Sequence, residues 1–275
     1  MNPEQSNQAL ISIVVPVYNE EDVLTEFHEA VNTALSKLPV KLEIIYINDG
    51  STDNTFAIIN KLRRGDGRIT LIDLSRNFGK EIALTAGLHK AAGDAVVVID
   101  ADLQDPPELI PELIRQWQNG YDVVYAKRTL RAGESLLKKT TAHLFHRIIQ
   151  RVGKFSMPED TGDFRILSRR AVNALNTFKE HHRFMKGLFA WIGFKQKAVP
   201  YERGARRAGQ TKWSYWRLWN FALDGITSFT IAPLKISTYI GTFTALGAFS
   251  YGIYMVIETL LHGNKVPGYP SLIVI

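Results

Sequence analysis

The 275 residues include no cysteine. That excludes a disulfide framework, a thiolate zinc site, an iron–sulfur cluster and a cysteine nucleophile. Charge excess is also small: 33 basic against 27 acidic residues leave +6. Such a balance suits an anionic substrate or a membrane surface and does not by itself imply nucleic acid, so no nucleic-acid partner is expected. Met1 to Gln8 has neither a basic n-region nor an apolar h-region and is not a signal peptide; residues 1–10 read as a loose tail. Several chemical motifs are missing as well. No G-x-G-x-x-G opens a helix after the first apolar run, Gly79-Lys80 is followed by Glu81 and does not end a Walker A loop, and neither H-E-x-x-H nor G-x-S-x-G occurs. The pairs His143/His146 and His181-His182 read as surface or helix-packing residues rather than ligands. What is present is a chain 45% hydrophobic and 22% charged, which can build a sizeable core.

Over the first two hundred residues, short β-rich runs alternate with longer helical patterns. The runs are Ile11 to Val15, Leu42 to Ile47, Ile69 to Leu74, Ala95 to Ile99 and Tyr121 to Ala126. Helical stretches fall at Asp22 to Lys37, from about Asp53, at Glu81 to Ala92 and from Pro106-Pro107 to about Trp117. This rhythm predicts an α/β fold with a mostly parallel sheet and helices on both faces. In such sheets ligands bind at the carboxyl ends of the strands. Each run ends there in a polar loop: Tyr18 to Glu20, Asn48 to Ser51, Ser75 to Lys80, Asp100 to Asp105 and Lys127 to Arg131.

The C-terminal part differs in kind. Ile236 to Ile257 is a run of 22 residues without a charge. At ~1.5 Å per residue it spans roughly 33 Å, enough for a ~30 Å hydrocarbon core; a buried core helix is the alternative. Residues 233–261 are therefore expected to form a transmembrane helix. Residues 262–275 are expected to be a loop and the start of a second membrane helix from Ser271 to Ile275, cut by the end of the chain. Arg203, Arg206, Arg207, Lys212, Arg217 and Lys235 precede the span, against Lys265 after it, which places the N-terminal domain in the cytoplasm. Just before the span, Trp213 to Phe229 holds three of the five tryptophans. Read as a helix, it puts Trp216, Trp219, Leu223 and Ile226 on one face, the pattern of a helix lying among lipid headgroups or of an ordinary amphipathic core helix.

Within the loops one pair of acids has the chemistry of a cation site. Asp100-Ala101-Asp102-Leu103-Gln104-Asp105 sits where the fourth run meets its loop. Alternation along an extended end would splay Asp100 and Asp102, one toward a ribose or diphosphate and the other toward a cation. Two hard carboxylates and the amide oxygen of Gln104 suit Mg²⁺ or Mn²⁺. Asp105 is expected to cap the helix that opens at Pro106-Pro107.

Taken in order, Val15-Pro16-Val17-Tyr18-Asn19-Glu20-Glu21, Asn48-Asp49-Gly50-Ser51-Thr52-Asp53, Ser75-Arg76-Asn77-Phe78-Gly79-Lys80-Glu81 and Asp100 to Pro106 resemble the family 2 glycosyltransferases of the GT-A fold. Gly162-Asp163-Phe164-Arg165 and Arg206-Arg207-Ala208-Gly209-Gln210-Thr211-Lys212 are similar to its polyprenyl-phosphate branch. That branch contains dolichyl-phosphate mannose synthases and, nearer in motif, bactoprenol glucosyltransferases. The resemblance implies a GT-A domain over residues 11–205 and an acceptor loop with interfacial helices over residues 206–232. It also implies roles. Pro16, Tyr18, Glu20, Asp49, Asp100 and Ala101 would bind the nucleotide sugar, with Asp49 and Asp53 alternatively read as helix caps. Asp100, Asp102 and Gln104 would hold Mg²⁺ or Mn²⁺. Asp163 and Asp102 would be catalytic, and Arg128, Arg131, Arg206 and Lys212 would meet the acceptor phosphate.

These readings converge on an expected inner-membrane enzyme, multi-pass at full length. It would move one sugar, glucose from UDP-glucose, to undecaprenyl or another polyprenyl phosphate with inversion, and a homo-oligomer is compatible with it. The alternatives are another hexosyl polyprenyl-phosphate synthase, a mannosyl one included, a processive polysaccharide synthase, whose Q-x-x-R-W segment is matched only by Gln210-Thr211-Lys212-Trp213, and a tethered binding module without activity.

Overall fold

The computed structural model describes residues 8–129, 161–178, 185–202 and 232–263. The chain divides into two units, Met1–Ser228 and Phe229–Ile275.

The first unit alternates β1 (Leu10–Val17), α1 (Leu24–Leu35), β2 (Lys41–Asn48), α2 (Thr55–Gly65), β3 (Ile69–Asp73), α3 (Lys80–Lys90) and β4 (Ala95–Val98). A 3₁₀ turn (Pro107–Leu109), α4 (Ile110–Gln118) and β5 (Val123–Arg128) follow. Then come β6 (Thr161–Ser168), α5 (Arg169–Thr177), α6 (Met185–Trp191) and β7 (Gln196–Tyr201). Among the described residues, seven strands form one sheet in the order β3-β2-β1-β4-β6-β5-β7. Every pairing is parallel except those of β6, which runs antiparallel to both β4 and β5. The expected mostly parallel α/β sheet is therefore present, with the five predicted strands in place. The sequence reading did not anticipate β6 and β7.

The pattern of apolar residues explains why this sheet lies in the middle of the unit. In β1, Ile11, Ile13, Val14, Val15 and Val17 are all buried, and β4 is buried at all four positions. A strand buried on both faces reads as a continuous apolar run, not an alternating one, because helices cover both sides. One side is covered by α1, α2 and α4, whose Phe27, Val31, Ile59 and Leu113 join the core. The other is covered by α3, which packs on β1 and β2, and by α5 beside it. There Gly87 of α3 leaves no room for a side chain: a Cβ would stand 2.4 Å from Val14 Cγ1.

The connections create a switch point. From β1 the chain winds outward to β2 and β3, then crosses to β4 on the other side of β1. Loops on either side of such a reversal part at the carboxyl edge and leave a crevice. Because β6 is reversed, its beginning, not its end, lies at that edge: Arg165 pairs with Val98, the last residue of β4. The fold thereby adds Gly162 and Asp163 to the rim made by the loops after β1, β2, β3 and β4.

The second unit contains α7 (Ala232–His262). Its stretch Leu234–His262, 29 residues of mean hydropathy 1.5, is long and apolar enough to cross a membrane. Leu234, Phe243, Phe249 and Leu260 along it are exposed. The expected interfacial helix at Trp213 to Phe229, the apolar run from Ser271, most of the N-terminal tail and both His pairs lie outside the described residues.

One glycine decides the geometry of the rim. Gly50 has φ +67°, and a Cβ there would sit 2.4 Å from the carbonyl carbon of Arg76 and 2.6 Å from the nitrogen of Asn77. The loop after β3 crosses directly over it. Left-handed backbone alone costs an L-residue ~1–2 kcal/mol, and the overlap adds to this. Gly50→Ala should lower unfolding stability by about 2 kcal/mol or more, as measured by denaturant unfolding of the purified protein; unchanged stability would mean that the loop does not press on Gly50.

Candidate active site

At the switch point lies a cleft of about 390 Å³ lined by Pro16, Val17, Tyr18 and Glu20 at and after the end of β1, Asp49 after β2, Asn77, Gly79 and Lys80 at the start of α3, and Asp100, Ala101 and Asp102 after β4. All six residues expected to bind the nucleotide sugar are on this wall. Tyr18 stands 42% exposed at its rim, where an aromatic ring can lie against a base.

The loops that carry these side chains are tied to one another. Asn19 has φ 56°, a left-handed conformation that Asn tolerates better than most residues. Its Oδ1 accepts from Thr52 N at 2.8 Å and its own N–H donates to Ser51 Oγ at 3.0 Å. Asp53 accepts from Thr55 N at 3.0 Å and Glu21 N at 3.2 Å, tying the loop after β1 to the turn before α2, whose N-cap position is Asn54. Asp49 does not cap that helix. Its buried carboxylate reaches the neighbouring loop, Oδ1 accepting from Phe78 N at 2.8 Å and Oδ2 from Gly79 N at 2.9 Å.

After β4 the expected extended alternation fails. The chain turns at once, with Leu103 at φ 54° and Gln104 N donating to Asp102 Oδ1 at 3.1 Å. The turn sets Asp100 and Asp102 on the same cleft instead of splaying them. Gln104 is not on that wall; it is 5% exposed. Asp105 does not cap the following helix either, whose first turn begins after Pro106 without a side-chain cap. It is buried, accepts a hydrogen bond from Tyr201 Oη and faces Arg128 at 3.9 Å. Arg128 Nε donates to Tyr201 Oη at 3.2 Å. Burial and the bond to Asp105 push the Tyr201 phenol up to about 12. Arg128 is thus part of a link between the ends of β5 and β7, with its positive charge partly met by Asp105. Gly162 fits closely beside this link: a Cβ there would be 3.2 Å from Arg128 Nη2. Arg131, Arg206 and Lys212 lie outside the described residues.

Asp163 is 9% exposed. Its Oδ2 lies 2.5 Å from Lys80 Nζ, and the same ammonium is 2.7 Å from Asp100 Oδ2. Burial alone would lower the lysine, but Asp163 and Asp100 outweigh it and hold the ammonium firmly protonated. Behind Asp163, the buried Arg165 donates Nη2 to the Gly162 carbonyl at 2.8 Å and Nε to the Asp163 carbonyl at 3.3 Å. Its guanidinium lies 3.9 Å from the centre of the Phe189 ring. Burial brings Arg165 down to about 10, against the opposing pull of Asp163 and Glu81, so it stays charged at neutral pH and fixes the backbone turn that presents Asp163.

The sequence reading assigned no role to Lys80, Asn77, Arg165 or Tyr201. Lys80 and Arg165 stood inside quoted motifs, yet nothing local says that a residue opening α3 faces one on β6, 83 positions later. A cation fits this donor set in one respect. Two carboxylates on one wall match a Mg²⁺-like ion, which is commonly held by one or two carboxylates and completed by substrate phosphates and water. Among the described residues no cluster of three or more His, Asp or Glu is arranged to hold a metal without such help.

A family model described as Glycosyl transferase family 2 matches residues 12–175. The chain belongs to glycosyltransferase family 2. Bactoprenol glucosyl transferase of Shigella phage SfV is 47% identical over 264 residues, covering 96% of this chain and 86% of that protein. Among solved structures, a mannosyltransferase from Pyrobaculum calidifontis in complex with GDP-Man and Mn²⁺ superposes with TM-score 0.53 at 18% identity, over 71% of this chain and 56% of its own. Glucosyl-3-phosphoglycerate synthase from Mycobacterium tuberculosis, in complex with Mn²⁺, UDP-glucose and phosphoglyceric acid, gives 0.51 at 20% identity over 80% and 78%. These two likenesses establish the GT-A fold of this glycosyltransferase.

The Asp49 bridge ties the loop after β2 to the loop before α3. Asp49→Ala would leave the Phe78 and Gly79 N–H groups without that acceptor and loosen the loop that carries Asn77 and Lys80. Nucleotide affinity, read by calorimetric titration with UDP, should fall by about tenfold or more. Wild-type affinity in that variant would show that the bridge does not shape the site.

Proposed function

We propose that this glycosyltransferase moves one glucose from UDP-glucose to undecaprenyl phosphate, or a closely related polyprenyl phosphate, at the cytoplasmic face of the membrane, with inversion at the anomeric carbon. The observation that carries the reading is the pair Asp100 and Asp102 on one cleft wall, with Lys80 of the same wall joining Asp100 to Asp163. The name of the phage relative supports glucose and a bactoprenol acceptor, and the apolar α7 supports a membrane setting.

The chemistry follows from charge. A polyprenyl monophosphate has a second pKa of ~6 and is largely dianionic at neutral pH. It is already a nucleophile, so proton removal is not the chief difficulty. Its oxygen attacks C1 of the sugar, the C1–O bond to UDP breaks, and the electron pair leaves with the diphosphate. The difficulties are the charge on that leaving group and the approach of two anions. Asp100 and Asp102 would hold Mg²⁺ or Mn²⁺, which would offset the diphosphate charge. Tyr18, Glu20 and Asp49 would hold the nucleoside. Arg128, Arg131, Arg206 and Lys212 would draw in the acceptor phosphate, a fork-like guanidinium suiting a pair of phosphate oxygens. Asp163, held beside Lys80, would orient the acceptor and the cations around it rather than act chiefly as a base. The membrane setting has a physical reason: withdrawing a polyprenyl chain from the bilayer costs ~0.8 kcal/mol per CH₂, so the enzyme must come to the lipid.

Two experiments test this. Membranes carrying the protein, given a panel of radiolabelled nucleotide sugars and polyprenyl phosphate, should make a lipid carrying a single sugar, glucose in preference to mannose. Transfer should vanish with EDTA and return with Mg²⁺ or Mn²⁺. A growing polymer, no lipid product from any common donor, or full transfer after thorough chelation would contradict the reading. Separately, Asp163→Asn should lower turnover by about 10²-fold or more while leaving donor affinity within a few-fold; lost donor binding with intact turnover would remove the orienting role.

A further inference from the structure

We propose that Lys80 is an internal counter-cation that keeps the divalent-ion site weak until a nucleoside diphosphate arrives, coupling ion binding to donor binding. The inference rests on the nucleotide-sugar reading of the cleft and adds to it a role for a residue on the opposite side of the crevice from the Asp100–Asp102 turn.

Lys80 is placed by backbone, not by chance. It is the first residue of α3, directly after Gly79 at φ 94°, and the Phe78 and Gly79 N–H groups are both held by the Asp49 carboxylate. From that fixed base its ammonium reaches Asp100 at 2.7 Å and Asp163 at 2.5 Å. Two carboxylates, one in the loop after β4 and one on β6, thereby share one internal positive charge. An ion arriving alone must either take Asp100 from the ammonium or sit beside it, and the second arrangement sets two positive charges within a few ångströms of each other. A diphosphate changes the balance. Its negative charge offsets the repulsion and offers the ammonium another partner, which a compact charge on a flexible stem can follow. The side chain is 39% exposed, so water tempers the competition without abolishing it. Because such coupling is reciprocal, the ion must tighten the nucleotide by the factor with which the nucleotide tightens the ion.

The test reads binding, not catalysis. Mn²⁺ binding to the full chain in nanodiscs is followed by the electron paramagnetic resonance of the free ion, with and without UDP. In the wild type UDP should tighten Mn²⁺ by about tenfold or more. In Lys80→Met, Mn²⁺ alone should bind about tenfold more tightly than to the wild type, and the gain from UDP should shrink to about threefold or less. Lys80→Gln, a second neutral variant that keeps polarity, should behave as Lys80→Met does, and Lys80→Arg, which keeps the charge, should behave as the wild type. Three results would overturn the proposal: neutral variants that bind Mn²⁺ alone no better than the wild type; neutral variants that bind it better but keep the full gain from UDP, the mark of a general field effect; or an arginine variant that follows the neutral ones. In each case UDP binding by the wild type leaves the nucleotide-sugar reading intact. A wild type that binds neither UDP nor Mn²⁺ under any condition would defeat both.

Discussion

Carboxylates gathered at one edge of the sheet repel each other, and positive charge supplied by the fold offsets that repulsion. Lys80 supplies that charge between Asp100 and Asp163, and Arg165 adds a buried charge behind the Asp163 turn. The rest of the rim can be understood from this constraint. Asp49 spends its carboxylate on the Phe78 and Gly79 N–H groups, which sets the base of the Lys80 stem. Gly50 lets the same loop pass close overhead. Leu103 takes a left-handed backbone, a conformation that is costly for an L-residue and that persists where surrounding structure demands it. Here it turns Asp102 back to the wall that Asp100 already occupies. A charged cluster of this kind is poorly justified by stability alone, since buried ion pairs commonly break even against apolar packing. Its justification is a substrate that brings charge of its own.

The reversed strand β6 makes the cluster possible. In an all-parallel sheet, residues at the start of a strand lie at the edge opposite the ligand. Reversing β6 between β4 and β5 carries Asp163 to the ligand edge and lets Arg165 register against Val98. The sheet thus places an acid from late in the chain near one from its middle.

How much of this was legible follows from the range of each interaction. The parallel strands β1 to β5 were readable because each is a short apolar run closed by a polar loop, and the carboxyl-edge rule then put those loops together, while the choice of Pro16, Tyr18, Glu20, Asp49, Asp100 and Ala101 among them rested on the family resemblance. Alternation along an extended strand gave the wrong geometry for Asp100 and Asp102, because nothing in Ala101-Asp102-Leu103 announces a turn that places a leucine at positive φ. Asp105 looked like a cap because it precedes a Pro-Pro helix start; its actual partner, Tyr201, lies 96 positions away. Lys80 and Arg165 were visible only as letters of motifs, since their function is set by pairing across the sheet. The long apolar helix was legible from length and composition alone: it was expected over residues 233–261, and α7 runs over Ala232–His262.

The account's central claim is that one cation and one nucleotide share the cleft at the switch point. Anomalous X-ray scattering from crystals of the protein grown with UDP and Mn²⁺ tests it directly. The account predicts a manganese peak at coordination distance from carboxylate oxygens of Asp100 or Asp102, beside the diphosphate, with the uracil beside Tyr18. A manganese peak remote from both aspartates, or a nucleotide bound outside this cleft, would contradict it.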